Sequence, residues 1–253
     1  MKNFLFQLSI NYKRIILRNL RFLVFSILMP IGFYLLFTQV MTQGIPADAL
    51  QTWNADYLIS MMVYSSLISS IITVSNTLLE DHMRKFDLYI TLSPISKIHY
   101  YLSMMIVFLS LNLLSAVSLV IVACFINHVI IHVFYLILIC LIVPLLSLPL
   151  LLIGIIVSLV GSGNVVNLVS NLLVFPMAIL SGLWWPLDIM PDWVQKISVF
   201  LPTFHSAKLL KEIIHQHHIH LLHLGVILLW IIILAIIIKV LTTVGKKGEL
   251  QTI

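Results

Sequence analysis

Charge is what this sequence has least of. From residue 98 to residue 187, ninety positions pass without an Asp, Glu, Lys or Arg. A soluble domain needs surface charge to stay solvated, so this stretch excludes an ordinary soluble fold. At about 20 residues per bilayer crossing, it has room for three membrane helices and their turns. Of all 253 residues, 61% are hydrophobic and 9% charged, and the mean hydropathy is +1.12. That is the composition of an all-α, polytopic membrane protein with one membrane domain and no large soluble one. There are two cysteines, Cys124 and Cys140, both inside apolar runs, which excludes a disulfide framework and a redox motif. No G-x-x-x-x-G-K-[ST] occurs, so the chain cannot cradle nucleotide phosphates by that route, and Gly161-Ser162-Gly163 reads as a turn. No H-E-x-x-H occurs, which removes a zinc-protease reading. Internal repeats and low-complexity linkers are also missing.

The charge that is present is mostly basic, with 14 Lys+Arg against 9 Asp+Glu. Its placement points to a membrane and away from nucleic acid. Lys2, Lys13, Arg14, Arg18 and Arg21 precede the first apolar run. Arg84, Lys85 and Lys97 lie in the second polar break, and Lys239, Lys246 and Lys247 follow the last run. If the chain crosses six times, these eleven fall on one side, leaving only Lys196, Lys208 and Lys211 elsewhere. Positive charge marks the cytoplasmic side, so both termini of this multi-pass protein are expected in the cytoplasm, with the body in the cell membrane. The basic lead before the first apolar run is 21 residues long with no small-residue cleavage site after it, which reads as an uncleaved signal anchor.

The apolar runs predict a single permease domain, residues 1–253. Residues 1–21 form an interfacial helix, because Gln7, Asn11, Arg14, Arg18 and Arg21 recur at spacings of 4, 3, 4 and 3. Phe4, Leu8, Tyr12, Ile15 and Ile16 fall on the opposite face, which would sink into the acyl boundary. Six transmembrane helices follow at 22–41, 57–79, 100–126, 133–157, 165–180 and 221–238. Pro30 is expected to kink the first. Between the fifth and sixth, residues 181–220 carry Trp184, Trp185, Pro186, Pro191, Trp193 and Pro202. That composition suits short proline-broken helices in an external re-entrant segment rather than a span.

Two stretches then resemble the permease subunits of type-2 ATP-binding-cassette exporters. In LLEDHMRKFDLYITLSPIS, residues 78–96, Glu80, Leu92, Pro94 and Ser96 match a family pattern. In that pattern an acidic residue closes the second span and a charged helix leads to a Leu-x-Pro-x-Ser-like stop. In LSGLWWPLDIMPDWVQKISVFLPTFHSAKLL, residues 180–210, Ser181, Gly182, Pro186, Pro191, Trp193 and Pro202 match the family's external motif in order and spacing. Phe86-Asp87 stands where family members often have Gly-Thr. The resemblance implies a half-transporter that pairs with a second copy or a close relative. It also implies a separate cytoplasmic ATPase that binds ATP and Mg, this chain having no cofactor of its own.

Within that frame, Glu80, Asp81, His82, Arg84 and Lys85 are the candidate contact with the ATPase. Ser66, Ser69, Ser70, Thr73 and Thr77 recur at helical spacing on the second span, and Asn164, Asn167, Ser170 and Asn171 on the fifth. Asn side chains facing lipid are costly, so both stripes should face protein or water. They are read either as helix–helix hydrogen bonding or as a substrate path or dimer seam. With no charge on either stripe, the passenger should be hydrophobic or amphipathic, such as a drug, peptide or lipid. His215/His218 and His220/His223 are i, i+3 pairs with Glu212 nearby, a spacing that would hold a divalent metal on one helix face. A polar helix start is the plainer reading, and no metal is expected. An ion-gradient-driven secondary transporter or channel is the alternative function, and it calls for intramembrane charge that the spans lack. A membrane-bound enzyme would need clustered carboxylates or ligands, and only the histidine run offers any.

Overall fold

The computed structural model describes residues 2–17, 20–86, 89, 97–215 and 219–250, and at 2–3, 16–17, 20–23, 97–98 and 244–250 it describes the backbone alone. Among these residues the fold is helical throughout. Helix α1 (Lys2–Tyr12) continues into a π-helical turn, Lys13–Leu17. Helix α2 (Leu20–Leu35) is prolonged by a second π-helical turn, Leu36–Val40. Helix α3 (Leu50–Met83) is the central rod, α4 spans Lys97–Ile126 and α5 spans Val133–Ser158. Helix α6 spans Gly163–Leu180. A 3-10 turn at Leu187–Ile189 then leads to the short helices α7 (Asp192–Ser198) and α8 (Pro202–His215), and α9 (Leu221–Leu250) closes the chain. Among the described residues five helices are long and apolar enough to cross a membrane, and Val24–Val40 is a shorter apolar helix.

Burial ranks these helices. Of the most apolar window of α3, 94% is buried, against 28% for α6 and 17% for α9. The core is built around Leu58, Met61, Tyr64, Leu67 and Ile71 of α3, against which α2, α4, α5, α6 and α8 pack. Pro30 has no N–H to give the carbonyl of Ser26, four residues back in α2. The Ser65 hydroxyl of α3 donates to that carbonyl at 3.1 Å, so the proline defect becomes a cross-helix bond. Helix α5 crosses α3 at Gly154, where any Cβ would collide with the Ser70 carbonyl oxygen.

Three expectations change. The second span is longer than 57–79: one helix runs from Leu50 to Met83, so Glu80, Asp81 and His82 ride on its last turn rather than on a separate loop helix. The last helix continues past residue 238. The polar stripe of the N-terminal helix turns inward, with Gln7 and Asn11 buried while Leu5 and Phe6 are exposed. Asn11 Nδ2 donates to Ser103 Oγ of α4 at 2.6 Å, because protein removes a polar face from lipid as well as water does. The side chains of Arg18 and Arg21 lie outside the described residues, as do Asp87, Leu92, Pro94 and Ser96.

Candidate functional site

At the charged end of α3, alternate residues take opposite roles. Asp81 points into the bundle, 7% exposed, and binds Arg14 bidentately. Arg14 Nη1 donates to Oδ1 at 2.5 Å and Nη2 to Oδ2 at 2.9 Å. The Tyr100 hydroxyl of α4 donates to the same carboxylate at 2.5 Å, and the Arg14 guanidinium lies 4.7 Å from the centre of the Phe86 ring. Burial works against the charge on Arg14, but the Tyr100 hydroxyl and Asp81 carboxylate outweigh it and raise the guanidinium above its ordinary range. Three elements, the N-terminal helix, the end of α3 and the start of α4, are thus pinned at one carboxylate.

Glu80 and Arg84 point the other way. They are mostly exposed and form an i, i+4 pair at 3.9 Å, too long and too wet to hold them firmly. His82 and Lys85 are exposed beside them, and Lys85 ends the helix in the left-handed region at φ 53°. A cleft of about 320 Å³ opens here, lined by Arg14, Thr77, Glu80, Asp81, Arg84 and Phe86. Of the five residues read as one contact patch, Asp81 is therefore withdrawn. It belongs to the anchor beneath the patch, because a buried carboxylate needs a partner. Arg14 and Tyr100, the other half of that anchor, went unrecognised in the sequence; an Arg about two turns into a polar stripe that avoids lipid was the available signal.

The polar stripe of α3 does not face one way either. Ser69 and Ser70 turn to Asn112 of α4: the Ser69 hydroxyl donates to Oδ1, and Nδ2 donates to Ser70 Oγ at 3.1 Å and to Ser147 Oγ of α5 at 2.7 Å. This hub lies at the π-helical turn Ser69–Thr73, where the local widening presents both serines. Asn112 was missed, although a lone Asn inside an apolar helix is itself a signal. Ser66 is buried with no partner for its hydroxyl, and Thr77 lines the charged cleft. Toward α6, Ser75 and Ser170 share a hydrogen bond at 3.0 Å. Thr73 and Asn171 line one cavity of about 210 Å³ with Ser26, Met29, Tyr64 and Phe175. Asn164, Asn167 and Asn171 are exposed on the outer face of α6.

At the far end, the segment between α6 and α9 is anchored by its motif residues. Gly182 turns the chain at φ 71°, where a Cβ would lie 2.6 Å from Leu187 Cγ. Ser181 and Thr203 share a hydrogen bond, and the Tyr57 hydroxyl donates to the Trp184 carbonyl at 3.0 Å. The Trp184 ring stacks on Phe33 at 5.3 Å. Pro186 precedes the 3-10 turn, Pro191 caps α7 and Pro202 opens α8, while Trp193 is exposed.

His215 and His223 do not share a helix face. Helix α8 ends at His215, and α9 begins at Leu221. His215 Nε2 meets Asp56 Oδ1 at 2.7 Å, and Lys211 Nζ lies 3.2 Å from Asp56 Oδ2. His223 turns instead to Glu212 and His205. Among the described residues no group of three or more ligands is placed to hold a metal, and His218 lies outside them. Two carboxylates, Asp81 and Glu212, are buried, both outside the spans that the sequence reading held to be free of charge.

Comparison with known proteins agrees with the helical layout. Residues 38–244 match the family described as ABC-2 family transporter protein. A Bacillus subtilis (strain 168) protein whose name describes it as a transport permease, YvfS, is 30% identical over 213 residues, covering 84% of this chain and 86% of its own.

Proposed function

The chain belongs to the ABC-2 transporter family, and from that premise we propose that it is the membrane subunit of an ATP-driven exporter. A separate ATPase, which binds the ATP and Mg, docks on the exposed face formed by Glu80, His82, Arg84 and Lys85. Both termini then lie in the cytoplasm with that face, a placement supported by the basic residues around the first, second and last polar segments. The observation that carries this reading is the split at the end of α3. Glu80 and Arg84 are presented outward, and one residue away Asp81 binds the same rod to α1 and α4. A rigid displacement of the docked ATPase would therefore move three helices together.

The outer face of α6 supports a second copy, or a close relative, as partner. Three asparagines on a helix that packs only lightly within its own chain need protein or water beside them. The cavity joining Ser26, Thr73 and Asn171 opens beside this face and carries no charged residue. It suits a hydrophobic or amphipathic passenger, moved outward past α3 and α6.

The test is the double substitution Glu80→Ala with Arg84→Ala in the chain reconstituted with its co-purifying ATPase. ATP-dependent transport is expected to fall at least tenfold, a barrier change of about 1.4 kcal/mol, while insertion and yield stay at wild-type levels because both side chains are exposed. Wild-type transport in that variant removes the docking assignment.

A further inference from the structure

Helices α8 and α9 are joined by a chain of buried polar groups that the transport reading does not use. Glu212, His223 and His205 are 6%, 8% and 4% exposed. His223 Nε2 lies 3.1 Å from Glu212 Oε1, His223 Nδ1 lies 2.7 Å from His205 Nδ1, and His205 Nε2 lies 2.8 Å from the carbonyl oxygen of Val199. The second carboxylate oxygen, Oε2, accepts the backbone N–H of His220 at 3.4 Å.

The protons of this chain can be assigned from its ends. A carbonyl only accepts, so His205 Nε2 carries a proton and donates to Val199. Neutral His205 then offers a lone pair at Nδ1, and His223 must donate from its own Nδ1. At His223 Nε2 two arrangements complete the last bond. Either an imidazolium donates to the Glu212 carboxylate, or a neutral imidazole accepts from the Glu212 carboxyl. Both arrangements hold the same number of protons and the same net charge of zero.

We infer that Glu212, His223 and His205 form a proton-binding site that fastens α9 to α8 at one protonation state and loosens on either side of it. Removing a proton leaves a carboxylate and two neutral imidazoles, with two N–H groups for three acceptors, so one bond is lost. Adding a proton puts it on His205 Nδ1, where two N–H groups then face each other across 2.7 Å. Of the other titratable groups nearby, Lys211 and His215 of α8 pair with Asp56 of α3 and Lys208 is exposed, while the ring of His220 meets that of His223 edge-on with centroids 6.3 Å apart and its backbone N–H serves Glu212. Burial holds the His205 imidazole below its ordinary range, in keeping with the crossing of two donors that its protonation creates. Helix α9 is the helix to which such a fastening matters most, since its apolar window is only 17% buried. Loosening it would free the last span from the external segment.

The sign follows from the bonds. A histidine held neutral by the fold adds stability above its unfolded pKa of about 6.5, and that stability is lost as pH falls below this value. Loss of the shared proton weakens the fastening on the alkaline side. The experiment is the thermal unfolding of the full-length chain in lipid nanodiscs, measured from about pH 5 to about pH 9, for wild type, Glu212→Gln, His205→Gln and His223→Gln. Wild type is expected to show a Tm maximum, with falls of roughly 2–4 °C on each side. Glu212→Gln imitates the neutral carboxyl and can donate to His223 Nε2 at any pH, so its alkaline fall should vanish while the acid fall stays. His205→Gln should lose the acid fall, and His223→Gln should be low and flat throughout. A wild-type Tm without a maximum, or a Glu212→Gln profile with the wild-type alkaline fall, would overturn the inference. Because Glu212→Gln keeps every hydrogen bond, it remains informative even where a histidine variant fails to fold.

Discussion

At the scale of single residues, the anchor beneath the proposed docking face is asymmetric. The Asp81 side chain is 10% exposed and that of Arg14 is 20% exposed beside an open cleft. Removing the cation leaves a mostly buried carboxylate without its ionic partner, whereas removing the carboxylate's charge leaves a guanidinium that can turn into the cleft. Arg14→Ala should therefore cost about 3 kcal/mol, lowering Tm by roughly 6–12 °C. Asp81→Asn, which keeps the shape and an accepting oxygen for Tyr100, should cost less than half as much. Thermal unfolding of the two variants side by side checks this, and equal losses would contradict it. The same asymmetry explains why the anchor escaped the sequence reading. Six charged or titratable residues in the stretch from Glu80 to Asp87 look alike as letters, and only the direction of the helix separates the buried one from its exposed neighbours.

At the scale of elements, the helix positions were legible because apolar length is a local property. The runs at 133–157 and 165–180 correspond closely to α5 and α6. Facing was not legible. A polar stripe says that a face avoids lipid, and Asn11 satisfies that demand against Ser103 of α4 rather than against water, with Gln7 buried beside it. Histidine spacing likewise assumed an unbroken helix, while residues 219–220 are not helical and a new helix starts at Leu221, so that His215 and His223 have different partners. Close helix crossings were also hidden. At Gly154 an added methyl would strike the α3 backbone at Ser70 and approach Val74 Cβ at 3.2 Å, and backbone cannot swing aside. Gly154→Ala should force α3 and α5 apart at a cost of about 1–3 kcal/mol. Gly32→Ala and Gly225→Ala, where no atom lies within 4 Å of the added carbon, should be neutral or slightly stabilising. Unfolding midpoints of the three variants decide the matter, and a neutral Gly154→Ala would contradict the crossing.

At the scale of the whole molecule, the parts fall into a buried rod with loosely held helices beside it. Helix α3 carries the exposed Glu80–Arg84 pair, the proposed docking face, at one end and Asp56, paired with α8, at the other. Motion imposed at Glu80 has a direct route to the external segment through one continuous helix. Helices α6 and α9 keep most of their surface for neighbours outside the chain. This division agrees with the proposal that a separate ATPase supplies the driving force. Reconstitution of the purified chain in vesicles, with and without its co-purifying ATPase, tests that claim most directly. Movement of an amphipathic probe is expected only with the ATPase and ATP, and vanadate should stop it. Vanadate-insensitive movement by the chain alone would contradict the account.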